Sequence, residues 1–423
     1  METMGRVNAM AGLVKGCRAC GGRLTVTMAD LGLQPASNAF IASLEAAHDE
    51  KRYPLRAKVC ESCKLVQVDY DVAPEELFAR NYVYFSSYSD DWLTHAKEYC
   101  DMARRRFGLG AESLVVELAS NDGYLLKNFI DMGVPVLGID PSDTVAAAAE
   151  KIGVPTMVEF FGESLAKDLV RGGRQADLII GNNVLAHVPL LNDFVAGIAL
   201  LLKPKGSVTM EFPHLLELIE HVEFDTIYHE HYSYISLYAI EQVFSRHGLR
   251  IYDAERLPTH GGSLRIFAAH SNRSDLEDSP LLRGLREQES AAGLADLGTY
   301  LRFAEGVENC RRSLLAFLAE AKRDGKTVAA YGAAAKGNTL LNFCGVTPAD
   351  ISQVADRNPH KQSKFLPGTH IPVVSPEALL QAKPDYVLIL PWNLQDEIRQ
   401  QLRAITQWGG RFVTPVPAVR IYS

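Results

Sequence analysis

No stretch of the 423 residues is apolar throughout the roughly twenty positions that a bilayer requires. The most apolar segment, residues 184–202, is interrupted by His187, Pro189, Asn192 and Asp193. A membrane span is therefore not expected. Residues 1–16 lack the basic start and continuous apolar centre of a secretory signal, so a cytoplasmic location is expected. An excess of positive charge is also missing. With 43 Lys and Arg against 51 Asp and Glu, the formal charge is −8, which leaves no basic footprint for a nucleic acid. A small molecule carrying one pyrophosphate needs only a few cations. Only seven cysteines occur, too few and too unevenly placed for a disulfide framework in a chain of this length.

Four of the seven form two pairs, Cys17-Arg-Ala-Cys20 and Cys60-Glu-Ser-Cys63. Each spacing lets one tight turn present two thiolates, and two such turns complete a tetrahedral zinc site. A thioredoxin-type redox pair would not predict the second motif. With all four positions filled by protein, the ion would hold the fold and leave no place for a substrate or water. Cys100, Cys310 and Cys344 read as small core residues.

From residue 114 the pattern alternates strand and helix. An apolar run ends in Glu117-Leu-Ala-Ser-Asn121-Asp-Gly123-Tyr124, a strand, a small-residue turn and a helix start. A second strand ends at Asp140, about twenty residues on, where a carboxylate can accept ribose hydroxyls. Further strands run into Asn182 and Pro213, and two closing strands flank Gly261-Gly262. The expectation is α/β, a doubly wound sheet binding an adenosine-type cofactor. A nicotinamide domain is the competitor, but the turn has no GxGxxG, so the spacing favours a methyl donor.

The cysteine pairs, this turn, Gly181-Asn-Asn-Val-Leu-Ala-His187, Tyr228-His-Glu-His231, His260-Gly-Gly-Ser263 and Tyr331-Gly-Ala-Ala-Ala-Lys336-Gly-Asn338-Thr occur in an order that resembles the deoxysugar C-methyltransferases of antibiotic pathways. The likeness covers nearly the whole chain and is strongest to the C-3′-methyltransferases of tetronitrose-type amino sugars. It implies a zinc domain (residues 1–75), a class I methyltransferase domain (76–300) and a Rossmann-like C-terminal domain (301–423). The implied cofactors are S-adenosylmethionine, leaving as S-adenosylhomocysteine, and one structural Zn2+. The implied substrate is a dTDP-linked 3-amino-4-keto-2,3,6-trideoxy hexose methylated at C3′, and the implied assembly a monomer. Cofactor contacts fall on Glu117, Asn121, Gly123, Tyr124, Asp140 and Asn182.

Methylating carbon near neutral pH calls for an enolate, hence a base and a group that stabilises the enolate oxygen. The segment from Asp225 to Tyr234 packs two imidazoles, carboxylates and three phenols into ten positions. It is not HExxH, since Ser233 stands four beyond His229. A polar loop making only structural hydrogen bonds is the plainer reading. The resemblance puts Tyr228, Glu230 and His231 beside the sugar, with His231 the base, Glu230 orienting the imidazole or binding sugar, and Tyr228 donating to the enolate oxygen. His187 is expected to face the same cleft, though a capping or packing histidine would fit as well. Tyr82 matches an active-site tyrosine of the family.

A second strand-turn-helix unit at residues 327–341 nearly spells a P-loop, but Asn338 replaces its lysine, so ATP hydrolysis is not expected. Lys336 and Asn338 there, Asp356 and Arg357 after the next strand, His260, and Trp392 are candidates for the sugar nucleotide. The alternative is a scaffold domain whose loops bind nothing. Two other classes compete: an NAD-dependent sugar-nucleotide dehydrogenase or epimerase, and a zinc-containing binding module. The latter leaves the clustered Tyr228, Glu230 and His231 without a use.

Overall fold

The computed structural model describes residues 11–73, 77, 86–88 and 90–422. Among them, no helix is long and apolar enough to cross a membrane.

Near the N-terminus, β1 (Val26–Gln34), β2 (Tyr53–Val59) and β3 (Val66–Val68) form an antiparallel sheet. The buried residues of β2, Leu55, Ala57 and Val59, alternate along the strand, as a half-buried sheet requires. Helix α1 (Asp90–Phe107) leads into the middle sheet. There β4 (Val115–Leu118), β5 (Val136–Asp140), β6 (Thr156–Val158) and β7 (Ala176–Asn182) precede β8 (Leu202–Pro213). Strand β9 (Ser233–Tyr234) leaves this sheet, and β10 (Leu249–Leu257) and β11 (Ser263–His270) return to it.

The middle sheet has the order β10-β11-β8-β7-β4-β5-β6. Strand β11 is antiparallel to both neighbours and the remaining pairs are parallel. Parallel strands covered on both faces read as continuous apolar runs, and all four residues of β4 are buried. This is the class I methyltransferase arrangement expected from the sequence. The order reverses beside β4, so the ends of β4 and β7 open onto the crevice where such sheets bind ligands.

Strand β9 pairs with β3, Ser233 opposite Gln67 and Tyr234 opposite Val66, and so completes the N-terminal sheet. The motif Tyr228-His-Glu-His231 therefore lies immediately before a strand held by the cysteine-bearing module. Helix α2 (Leu237–Arg246) follows, with Ser236 as its N-cap accepting from the Ala239 amide. Helix α3 (Pro280–Ala291) carries Glu289, whose carboxylate accepts from the Leu237 and Tyr238 amides at 2.7 Å each, a second cap on α2.

The long helix α4 (Leu297–Arg323) leads to a second mostly parallel sheet. Its strands are β12 (Val328–Tyr331), β13 (Val354–Ala355), β14 (Val373–Val374), β15 (Tyr386–Ile389), β16 (Arg411–Thr414) and β17 (Arg420–Tyr422), in the order β14-β13-β12-β15-β16-β17. Helix α5 (Ala335–Cys344) follows β12.

One hydrophobic core joins Leu55 and Val66 of the N-terminal sheet, Phe224 and Ile227 of the loop before β9, Tyr300 and Phe303 of α4, and Leu340 and Leu388 of the C-terminal unit. A second joins Cys17, Cys60 and Cys63 to Val116, Ile179 and Met210 of the middle sheet. The cysteine module is thus packed into both larger units.

Candidate active site

The four sulfurs of Cys17, Cys20, Cys60 and Cys63 lie within 4.8 Å of one another. The contacts Cys17 to Cys63 at 3.5 Å and Cys20 to Cys60 at 3.4 Å are far beyond a disulfide bond and suit thiolates around one ion. The Gly22 amide donates to Cys20 Sγ at 3.4 Å. A side chain at Gly22 would put its Cβ 3.0 Å from Cys60 Sγ and 3.1 Å from Cys20 Sγ, so glycine is what lets the two turns close. The chemistry and the cradle both fit structural zinc.

The turn after β4 is built for a ligand. Gly123 has φ +77°, and a Cβ there would lie 2.9 Å from Val154 Cγ2. Asn121, also at positive φ, gives its amide to Asp140 Oδ2 at 3.0 Å, while the Ser142 amide takes Asp140 Oδ1 at 2.9 Å. Each Asp140 oxygen keeps a further lone pair for a hydroxyl. Burial pushes Asp140 up to about 6 against these two bonds. Glu117 is held well above the ordinary carboxylate range by burial and then by Asp140 and Asp122.

Buried groups around this crevice have polar atoms without a hydrogen-bond partner, among them Glu117 Oε2, Ser120 Oγ, Asp122 Oδ1, Ser142 Oγ and both amide atoms of Asn182. Buried polar atoms are rarely left unpaired, so this set fits a polar ligand such as S-adenosylmethionine. Tyr124 stacks on Trp92 at 6.1 Å, and Trp92 also meets His260 edge-on at 5.4 Å. His260 sits in a turn fixed by Glu211 at the end of β8, which accepts from Thr259 Oγ1 at 2.9 Å and pairs with Arg265 at 2.7 Å. Asn183 Nδ2 meets His260 Nε2 at 3.1 Å.

The catalytic candidates come together beyond β7. His231 Nδ1 gives its hydrogen to the Thr226 carbonyl at 2.9 Å, which leaves Nε2 as the lone pair, and the Tyr228 hydroxyl donates to it at 2.7 Å. His187 stands edge-on to His231 at 4.8 Å, with its Nδ1 2.8 Å from the Glu230 carbonyl. Burial holds His231 well below the ordinary imidazole value, and burial brings His187 down to about 4. Both rings are neutral at pH 7. The Thr226 carbonyl, not the Glu230 carboxylate, orients His231. Both Glu230 oxygens instead accept from Asn38 Nδ2, at 2.8 and 2.9 Å. Burial pushes Glu230 up to about 7, against Asn38 and the charge of Lys361. Tyr82 lies outside the described residues.

On the C-terminal side, Lys336 Nζ sits 4.6 Å from the centroid of Trp392 and 3.1 Å from Asn393 Oδ1. Trp392 Nε1 donates to buried Asp225 at 2.8 Å. The charge of Lys336 reaches Glu223, Asp225, His231 and His260, so Lys336, Trp392 and His260 share one junction with the catalytic loop. Asn338 is buried in α5, with its Oδ1 3.3 Å from Asn342 Nδ2. Asp356 accepts from the Ala333 and Asn358 amides at 2.8 Å each, which fixes the turn after β12. Arg357 is exposed and reaches Glu397 at 4.0 Å.

Asn38, Lys361 and Glu223 were not signalled by any motif, and Asn183 and Thr226 lie within motif segments without having been singled out. Asn38 is 192 residues from the carboxylate that it binds, and no local periodicity marks such a contact.

Residues 17–78 match a zinc binding domain family, residues 92–254 a methyltransferase domain family, and residues 258–417 the C-methyltransferase C-terminal domain family. The chain is 35% identical over 407 residues to the C-methyltransferase NovU of Streptomyces niveus, covering 96% of each protein. A ubiquinone biosynthesis O-methyltransferase of Rhodopseudomonas palustris is 27% identical over 117 residues, 26% of this chain and 46% of that one. The crystal structure of magnesium protoporphyrin IX methyltransferase from Synechocystis PCC 6803 aligns with 42% of this chain and 83% of its own, at 17% identity and a TM-score of 0.34.

Proposed function

This chain belongs to the C-methyltransferase family of NovU and is an S-adenosylmethionine-dependent enzyme with a zinc-binding module; from that premise we propose that it methylates C3′ of a dTDP-linked 3-amino-4-keto-2,3,6-trideoxy hexose through an enolate. The observation that carries the chemistry is the Tyr228 hydroxyl on the lone pair of a neutral, carbonyl-anchored His231.

S-adenosylmethionine, when bound, supplies an electrophilic methyl on sulfonium. Glu117, Asn121, Gly123, Tyr124, Asp140 and Asn182 line its place, and the unpartnered atoms of Glu117 and Asn182 support that assignment. With substrate in place the Tyr228 hydroxyl turns from His231 Nε2 to the ketone oxygen, and the freed lone pair takes the proton from the adjacent carbon as the C–H electron pair passes into the enolate. The Tyr228 hydroxyl then donates to the enolate oxygen. Removing the proton and stabilising the oxygen are thus coupled in one hydrogen-bonded pair. His187 walls the imidazole on the side of β7, and the low basicity that burial gives both rings lets the proton leave again after transfer. Glu230 lies beside the pair with its charge available to the sugar.

Lys336, Trp392 and His260 in the junction, with Asn338, Asp356 and Arg357 from the adjoining turns, are assigned to the nucleotide side. This reading takes the protein to be a cytoplasmic monomer. The test is transfer of labelled methyl to the dTDP-linked amino keto sugar, with the product located by NMR. His231→Asn should lower turnover by about 10²- to 10⁴-fold while S-adenosylmethionine still binds. Methylation on nitrogen or oxygen, or full activity in His231→Asn, would overturn the mechanism.

A further inference from the structure

We infer that Asn38 is a positioning residue that fixes the Glu230 carboxylate in the substrate junction. The inference rests on the reading that Glu230 faces the sugar. One amide nitrogen reaches both carboxylate oxygens, at 2.8 and 2.9 Å, and therefore lies between them. The outer lone pairs of each oxygen stay open to a ligand. A neutral donor also leaves the charge of the carboxylate uncancelled, which a lysine in its place would not.

Asn38 is itself held on both sides. Ser37 Oγ lies 3.4 Å from Thr339 Oγ1, and Thr339 Oγ1 donates to the Ile227 carbonyl at 3.1 Å. The Phe40 amide returns to the Asn38 carbonyl at 3.0 Å, and Ile41 bridges to Phe365. The segment after β1 is thereby wedged between the catalytic loop and the C-terminal unit. Lys361 is the charged group acting on Glu230; its Nζ stands 5.5 Å over the Phe40 ring and donates to the Ala333 carbonyl at 2.9 Å. The neighbouring rings of His187 and His231 are neutral at pH 7.

The experiment compares wild type with Asn38→Leu, which keeps the bulk and removes the donor, and with Asn38→Ala in case the first does not fold. The Glu230 carboxyl is followed by 13C NMR of glutamate-labelled protein, with its signal assigned by loss in Glu230→Gln. Removing a donor from the ionised form should raise its titration midpoint by about one pH unit. The acid limb of turnover should move up by the same amount and the rate at pH 7 fall about fivefold. S-adenosylmethionine affinity should not change. An unmoved titration in both variants overturns the positioning role, whatever the substrate proves to be. A moved titration upholds it, even where an unreactive sugar sinks the substrate assignment alone.

Discussion

The turn after β4 and the turn after β12 have the same strand-turn-helix topology, but they satisfy their polar atoms to different extents. In the first, Glu117 Oε2, Ser120 Oγ, Asp122 Oδ1 and, from β7, both amide atoms of Asn182 are buried without partners. In the second, both oxygens of Asp356 are used by the protein's own amides, and Asn338 Nδ2 is the atom left buried without a partner between residues 332 and 341. That turn is also packed shut: a Cβ on Gly332 would lie 2.3 Å from Pro391 Cδ, and one on Gly337 2.7 Å from Leu390 Cβ. The same topology therefore leaves several polar atoms open in one place and braces its turn in the other, with Lys336 and Trp392 presented at the flank of the second. How many of the buried polar groups are paired within the fold is what separates them.

Three experiments bear on this contrast. The largest effect is expected from the zinc module, which supports the catalytic loop through β3 and β9 but does not build the cofactor cradle. Cys63→Ala, or metal removal, should cost about 3 kcal/mol or more of stability, read by chemical denaturation. Turnover should be lost in protein that still binds S-adenosylmethionine by calorimetry. Loss of both together would mean that the cradle depends on the module as much as the loop does.

An intermediate effect separates the two turns directly. Asn182→Ala should weaken S-adenosylmethionine binding about tenfold with little loss of stability. Asp356→Ala should do the reverse, costing about 1–2 kcal/mol by uncapping two amides while leaving cofactor affinity intact. If Asp356→Ala abolished cofactor binding, the two turns could not be distinguished by function.

The smallest effect is on pH dependence. Burial raises Asp140 to about 6, so its contribution to stability is complete below the ordinary carboxylate range and lost as pH rises through 6. A ligand whose hydroxyls need the ionised form binds more tightly above that point. S-adenosylmethionine affinity should rise about threefold to tenfold from pH 5 to pH 7, with proton release visible in buffers of different ionisation enthalpy. Flat affinity and no proton release would remove Asp140 from the cofactor site.

Much of the fold was legible because its signals are local. Apolar runs ending at Leu118, Asp140, Asn182 and Pro213 mark strands that the structure contains, and Ser236 marks the start of α2. The four cysteines were legible for the same reason, since a CxxC turn is one local unit. The docking of β9 onto β3 was not legible, because a two-residue strand has no periodicity and its partner lies more than 160 residues away. The hold of Asp356 on the Ala333 and Asn358 amides was not legible either, because only the path of residues 333–358 decides which donors reach a carboxylate.

By itself the sequence determined the principal strands of the middle sheet, the metal-binding chemistry and the segment that carries the imidazoles, since each follows from neighbouring residues obeying backbone and coordination geometry. Tertiary structure alone decided which polar groups are buried together. Asn38 with Glu230, the Thr226 carbonyl with His231, and the unpartnered atoms around Glu117 are set by desolvation, and desolvation depends on what packs against a side chain from distant parts of the chain.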